Sequence, residues 1–92
     1  MIVYTSAQKG FTLKEMTNED DYEFTITIQD VEQFLPAMKQ IQDHFEEVGP
    51  LTDVLFYVHQ QHEFHIIVRR DYYVDFILSL FKFQFVDSVK WT

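Results

Sequence analysis

The period of the apolar residues changes at Asp30, and no other feature of the sequence constrains the fold as much. Before Asp30, Tyr22, Phe24, Ile26 and Ile28 alternate with polar residues, a pattern that predicts a β-strand with one buried face. After Asp30, apolar residues recur at steps of three and four, which predicts a helix with one apolar stripe. The stripe consists of Val31, Phe34, Leu35, Met38, Ile41, Phe45 and Val48.

Local signals mark the ends of this helix. Asp30 is a suitable N-cap, and Gln33 follows at the spacing of a capping box. Gly49 and Pro50 predict the C-terminal end, because glycine accepts the left-handed cap conformation and proline cannot continue the helix. Pro36 lies beyond the first turn and removes a backbone hydrogen bond, so a kink or a later start is expected.

Residues 51–58 and 64–69 predict two further strands around the loop 59–63. If Val58 faces Phe64, the apolar residues of both strands share one face, whereas a two-residue turn at 60–61 would place them on opposite faces. Gln-Gln also lacks the chemistry that a two-residue hairpin turn prefers. We therefore expect the five-residue loop. The shared face consists of Val54, Phe56, Val58, Phe64, Ile66 and Val68.

The remaining elements complete an α+β pattern. Asp71 is the expected N-cap of a second helix that runs to about Lys82, and residues 84–91 predict a last strand. The order βαββαβ over residues 22–91 resembles the ferredoxin-like fold, although no motif identifies a family. That resemblance implies a four-stranded antiparallel sheet with two helices on one face and with the first and third strands central. Residues 17–21 are expected to form a loop, and residues 1–16 an N-terminal β-hairpin extension in which Gly10 takes a positive φ.

Length and composition exclude several classes of protein. Residues 1–92 are expected to form a single domain. The absence of cysteine excludes disulfide scaffolds, thiolate metal sites and thiol catalysis. No apolar run is long enough to span a bilayer, and the first residues lack an export signal, so a cytoplasmic location is expected.

The net charge of −8 is concentrated in residues 15–63, which hold twelve acidic residues against Lys39 alone. Such a surface repels phosphate groups, so neither nucleic acid nor an anionic membrane is an expected partner. The acidic excess serves solubility, or it forms a docking face for a basic protein partner.

The sequence contains no motif that predicts catalysis. Two isolated glycines cannot form a phosphate-binding loop, and Gly-x-Ser-x-Gly is absent. His59, His62 and His65 are close in sequence, but a strand and a loop tip do not bring their nitrogens to one point, as zinc requires. We therefore expect no catalytic residue, no metal and no cofactor, and we interpret the chain as a non-enzyme.

Two groups of residues form the predicted interaction surface. Leu55, Tyr57 and Ile67 lie on the sheet face opposite the helices. This face is too apolar to remain exposed to solvent. The sheet-facing arc of the second helix is expected to consist of Tyr73, Val74, Ile77, Leu78, Leu80 and Phe81. The second group of the surface lies on a different arc of this helix and consists of Tyr72, Phe76 and Phe83. A second copy, the N-terminal hairpin or a ligand could cover these residues.

Three functions follow from these observations. The leading hypothesis is a non-catalytic protein-interaction or regulatory module that acts as a homodimer. The first alternative is a small-ligand-binding regulatory domain of ferredoxin-like type. The second is a small dimeric ferredoxin-like enzyme, in which His44 or His65 would be the functional residue.

Overall fold

A computed structural model describes residues 2–6, 8–48 and 53–92. In chain order its elements are β1 (Ile2–Ser6), β2 (Phe11–Thr17), β3 (Asp21–Ile28), α1 (Val31–Val48), β4 (Val54–His59), β5 (Glu63–Arg69), α2 (Tyr73–Lys82) and β6 (Val86–Trp91). Short 3₁₀ turns at Gln60–His62 and Arg70–Tyr72 precede β5 and α2. The predicted end of the first helix at Gly49 and Pro50, and the side chain of Val48, lie outside the described residues.

The main sheet has the strand order β2-β3-β5-β4, and all of its neighbouring strands are antiparallel. The prediction of an α+β fold with an antiparallel four-stranded sheet is confirmed, and β3 and β5 are central as expected. The strand order differs from the ferredoxin-like one, because β2 occupies the place beside β3 that was expected for the last strand. Instead, β6 pairs with β1 in a separate two-stranded sheet. The predicted N-terminal hairpin, with β1 paired to β2, is therefore wrong.

A short local connection explains why β2 takes the position beside β3. Residues 18–20 join the two strands, and the backbone N–H of Asn18 donates to the carbonyl oxygen of Asp21 at 2.8 Å. The predicted polar loop is thus a hairpin turn, which closes with less loss of chain entropy than the long connection to β6 would require.

Gly10 has the predicted positive φ, at +86°. It precedes β2, but its backbone hydrogen bonds connect it to the residues before α1 rather than to β1. Its carbonyl oxygen accepts hydrogen bonds from the backbone N–H groups of Gln29 and Asp30, at 2.9 and 2.8 Å. A Cβ at this position would lie 3.0 Å from both Asp30 Cβ and the ring of Phe34. Close approach of two backbone segments therefore requires glycine here.

The side chain of Gln8 lies against the outer edge of β2. Its amide nitrogen donates to the carbonyl oxygen of Leu13 at 2.8 Å, and its amide oxygen accepts from the Leu13 N–H at 2.9 Å. The amide group of Gln8 thus makes the two hydrogen bonds to Leu13 that the backbone of a neighbouring strand would otherwise make.

The predicted register between β4 and β5 is confirmed, since Val58 pairs with Phe64. The loop is shorter than expected, because His59 also pairs with Glu63 and only residues 60–62 remain unpaired. Gln61 and His62 close this turn with φ values of 62° and 59°. Val58 lies on the helix-facing side of β4, yet it is 59 % exposed, so the helices leave that end of the strand uncovered.

Both helices pack on one face of the main sheet, as predicted. Phe11 of β2 contacts Phe34 of α1, and Phe24 of β3 contacts Phe76 of α2. The register places Phe11 and Phe24 on the same face. The buried core also includes Phe85, which follows α2 and packs on Phe11 and Phe34.

The helix ends follow the predictions in part. The side chain of Asp30 accepts a long hydrogen bond of 3.4 Å from the Gln33 N–H, in agreement with its predicted role as N-cap. Although Pro36 lies inside α1, the helix still begins at Val31. The predicted cap at Asp71 is wrong. Asp71 belongs to a 3₁₀ turn, and Tyr72 precedes α2 without a capping side-chain bond.

Phe76 was predicted to lie on the surface of α2, but it is completely buried. Its ring packs against the rings of Phe24, Phe45 and Phe56. In contrast, Leu78 and Phe81, which were expected to face the sheet, are each 48 % exposed. The buried stripe of α2 consists of Tyr73, Phe76, Ile77 and Leu80, of which Tyr73 is partly buried.

The orientation of α2 follows from its polar residues. Asp71, Asp75, Ser79 and Lys82 occupy one arc, and the buried stripe lies on the opposite side at about 100° per residue. Apolar residues cover most of the remaining circumference. The predicted sheet-facing arc therefore differs from the observed buried stripe by a rotation about the helix axis toward Val74.

We expect Phe76→Ala to lower the free energy of unfolding by about 3–5 kcal/mol, because it removes a fully buried ring. Phe81→Ala, the same substitution at a half-exposed position of the same helix, is the control and should cost about 1 kcal/mol or less. Urea denaturation of both variants measures the difference. Equal losses would show that the assigned orientation of α2 is incorrect.

Candidate functional site

The six predicted interaction residues lie in three environments. Tyr72 and Phe83 line a groove between α1 and α2, whereas Phe76 is buried beneath it in the core. The other three, Leu55, Tyr57 and Ile67, lie on the opposite face of the main sheet. The two predicted groups therefore correspond to an open sheet face and, without Phe76, to part of a groove between the helices.

The groove has a volume of about 560 Å³. Its lining residues are Gln40, Ile41, Asp43, His44, Phe45, Glu47, Tyr72, Asp75, Leu78, Ser79, Lys82 and Phe83. One helical face of α1 and one of α2, with Tyr72 and Phe83 just outside the ends of α2, supply the walls.

The floor of the groove is apolar and continuous with the core. Ile41 and Phe45 are buried core residues, and the Phe45 ring lies 5.8 Å from the ring of Phe76 below it. The ring of His44 contacts Phe45 edge-on, with 5.2 Å between centroids. Leu78, half exposed, adds an apolar side chain that no described neighbour covers completely. Sequence reasoning missed Leu78 because it placed this residue on the sheet-facing arc.

The rim of the groove carries mostly negative charge. Asp43 and Glu47 of α1 and Asp75 of α2 supply three carboxylates, and Lys82 supplies one ammonium group. The Lys82 Nζ lies 5.5 Å from the centroid of the Phe83 ring, within the range of a cation–π interaction. An apolar floor with an acidic rim is suited to a ligand that is itself apolar and basic.

The open sheet face combines apolar and polar residues in register. Leu55 pairs with Ile67, and Tyr57 pairs with His65, so the predicted sharing of one face is confirmed. Tyr57 is 48 % exposed. On this face, no helix of the described chain covers the central strands, in contrast to the helix side.

A polar pair lies in the middle of this open face. The Nε2 atom of His65 lies 2.7 Å from the Oε1 atom of Glu23. The hydrogen bond from the side chain of Asn18, followed by that from His65, lowers the pKa of Glu23. His65 is thus held by a carboxylate of the neighbouring strand.

The other histidines do not join His65 in a metal site. The rings of His59 and His65 are 6.3 Å apart and stacked, and His62 lies in the turn with a positive φ. Among the described residues, no three His, Asp or Glu side chains gather in a way that could hold a metal ion.

Sequence reasoning missed a cluster formed by Tyr4, Glu15 and Tyr73. The Tyr4 hydroxyl donates to Glu15 Oε1 at 2.5 Å, and the Tyr73 hydroxyl lies 3.1 and 3.2 Å from the two carboxylate oxygens. Burial, together with the hydrogen bond and negative charge of Glu15, raises the pKa of Tyr4 well above its usual range. Burial and the same carboxylate also raise the pKa of Tyr73.

The signal for this cluster was present in the sequence. Phe11, Leu13 and Glu15 alternate along β2, so Glu15 falls on the buried face. The predicted strand ended at Leu13, and Glu15 was therefore not considered. The cluster ties β1, β2 and α2 together through hydrogen bonds.

Comparisons with known proteins give no match, whether with models of protein families, with curated proteins or with solved structures. In the described part of the chain, neither helix combines the length and the apolar character that a membrane crossing requires. The functional inference therefore depends on the geometry of the groove and of the sheet.

We expect the free energy of unfolding to fall at alkaline pH, because the hydroxyl groups of Tyr4 and Tyr73 then favour the unfolded chain, in which they ionise more easily. Because their pKa values are raised in the folded state, their contribution is fully present below the unfolded value of about 10 and is lost as pH rises above it. Urea midpoints between about pH 8 and about pH 11 should therefore decrease.

The double variant Tyr4→Phe/Tyr73→Phe should have a shallower decrease, whatever its stability at neutral pH. Tyr57→Phe, which removes a hydroxyl outside the cluster, should retain the full slope. An unchanged slope in the double variant would contradict the role assigned to the cluster.

Proposed function

We propose that this protein is a non-catalytic protein-interaction module whose groove binds a basic amphipathic segment of a partner protein. The observation that carries the proposal is the apolar floor of the groove between α1 and α2 with carboxylates along its rim. Binding of an amphipathic helix in an apolar groove is a common mode of recognition.

The apolar lining supports a protein segment as the occupant. Leu78 and the partly buried Tyr72 and Phe83 expose apolar surface, and covering it with apolar side chains is favourable at about 25 cal/mol per Å². Beneath them, Ile41 and Phe45 fix the floor. A partner helix that presents apolar residues at steps of three and four would fill such a groove.

The charge of the chain supports a basic partner. Asp43, Glu47 and Asp75 line the groove, and the net charge of the whole protein is −8. Complementary charge increases the association rate and disfavours acidic partners. The net charge of the chain and the carboxylates of the rim therefore both favour a basic partner.

A small-ligand-binding regulatory domain is the second candidate. The groove volume of about 560 Å³ lies within the range of small-molecule sites. For an enzymatic function, the candidate functional residues remain His44 in the groove and His65 on the open sheet face. The ring of His44 contacts the ring of Phe45.

The proposal retains the homodimer and the cytoplasmic location as predictions. The dimer contact, however, cannot include Phe76, because this side chain is fully buried within one chain. The dimer contact must therefore use a different surface.

The test uses a labelled 18-residue synthetic peptide of leucine and lysine arranged as an amphipathic helix. A peptide in which glutamate replaces lysine is the control. Fluorescence anisotropy should show saturable binding of the Leu/Lys peptide and no binding of the Leu/Glu peptide. Binding should weaken as salt is raised, because screening reduces the attraction.

Matched variants locate the binding site. Leu78→Asp should weaken peptide binding at least about 10-fold, since it places a charge inside the groove. Phe81→Asp changes an equally exposed residue of α2 that does not line the groove, and should leave binding unchanged. If both variants bind the peptide like the wild type, the groove is not the binding site.

A further inference from the structure

Within the described residues, the outer edge of β4 shows none of three features by which proteins protect edge strands, namely a proline, a lysine or a β-bulge. β4 lies at the end of the main sheet, and no strand of the described chain pairs with its outer side. Its sequence, VLFYVH, contains no proline and no lysine, and its pairing with β5 shows no bulge. A regular apolar edge of this kind is a template for pairing with another strand.

The opposite edge of the same sheet differs. At β2, the side chain of Gln8 occupies the outward N–H and carbonyl oxygen of Leu13. The β2 edge is thus partly blocked from within the chain, whereas no strand of the described residues pairs with the outer side of β4.

The hydrogen-bonding groups of β4 that point outward can be assigned. The Arg69 N–H donates to the carbonyl oxygen of Asp53 at 2.9 Å, so Asp53 directs its backbone toward β5. Backbone directions alternate along an antiparallel strand. Val54, Phe56 and Val58 therefore direct their N–H and carbonyl groups away from the sheet.

We propose that β4 pairs antiparallel with β4 of a second copy of this chain, with Phe56 opposite Phe56 of that copy. This inference names the contact for the homodimer of the proposed function. The register forms three hydrogen-bonded pairs, Val54 with Val58, Phe56 with Phe56, and Val58 with Val54, each with two bonds. Shifting the centre to Leu55 or Tyr57 leaves only two such pairs within the strand.

Side-chain complementarity supports the same register. Val58, 59 % exposed, would lie beside Val54 on the helix side, and the half-exposed Tyr57 beside Leu55 on the open face. At the ends, the carboxylate of Asp53 would face His59 of the other copy.

The proposed pairing leaves the groove free. None of the residues that line the groove belongs to β4. The dimer and peptide binding are consequently separable by mutation.

Sedimentation equilibrium of the full chain, from about 5 to about 200 µM, tests the proposal. The salt concentration should be about 0.15 M, to screen repulsion between two chains of net charge −8. We expect a monomer–dimer equilibrium in the wild type and at least a 10-fold increase in its dissociation constant in Val58→Lys. Val3→Lys, which places the same charge on β1 at another exposed valine, should dimerise like the wild type.

The outcomes separate this proposal from the proposed function. Leu78→Asp should still dimerise, and Val58→Lys should still bind the Leu/Lys peptide. A wild-type protein that stays monomeric, or a dimer that Leu78→Asp disrupts and Val58→Lys does not, would overturn the β4 contact.

Disulfide trapping tests the register independently, because the chain has no cysteine of its own. Under mild oxidation, a mixture of Leu55→Cys and Tyr57→Cys chains should cross-link, because these residues face each other across the pair within disulfide range. Faster cross-linking of Leu55→Cys alone, or of Tyr57→Cys alone, would show a shifted register and would overturn the Phe56-centred pairing.

Discussion

The one-sided burial of the four-stranded sheet is the constraint on which the rest of the structure depends. Along β5, and along β3 from Phe24 onward, every second residue is buried and the residues between them are not. Phe76 lies at the centre of the buried side, where its ring contacts Phe24 of β3, Phe45 of α1 and Phe56 of β4. Both helices are needed to cover this face, so the other face and the β4 edge remain available for contacts.

Predictions from local periodicity were confirmed for β3, for α1 and for the pairing of β4 with β5, whereas the predicted strand order and the predicted orientation of α2 were not. The buried residues of β3, the stripe of α1 and the pairing of Val58 with Phe64 depend on neighbouring residues alone. Which strand lies beside β3 depends on a competition between β2 and β6. The turn at residues 18–20 and the contact of Gly10 with Asp30 decide it in favour of β2. Neither effect appears in the apolar pattern of the sequence.

The candidate surfaces show the same difference between strands and helices. A strand residue has two faces to choose from, and the predicted placement of Leu55, Tyr57 and Ile67 on one face is correct. A helix can rotate continuously about its axis, and α2 is apolar around most of its circumference. The sequence therefore predicted the partly exposed positions of Tyr72 and Phe83 but not the burial of Phe76. All three residues lie at similar angles around the axis of α2.

The groove and the β4 edge use different residues, and this has a consequence for binding. If two chains pair through β4, each dimer presents two grooves with fixed geometry, because the paired strands form one continuous sheet. A partner with two basic amphipathic segments could then occupy both grooves, and its second segment would bind at a high effective concentration. Affinity for such a partner would exceed that of either groove without any new contact. This additional affinity would be lost in Val58→Lys, because that variant weakens the dimer even though each groove remains intact. The acidic rim and the apolar strand edge would then act together, the first selecting the charge of the partner and the second setting the spacing between its two binding segments.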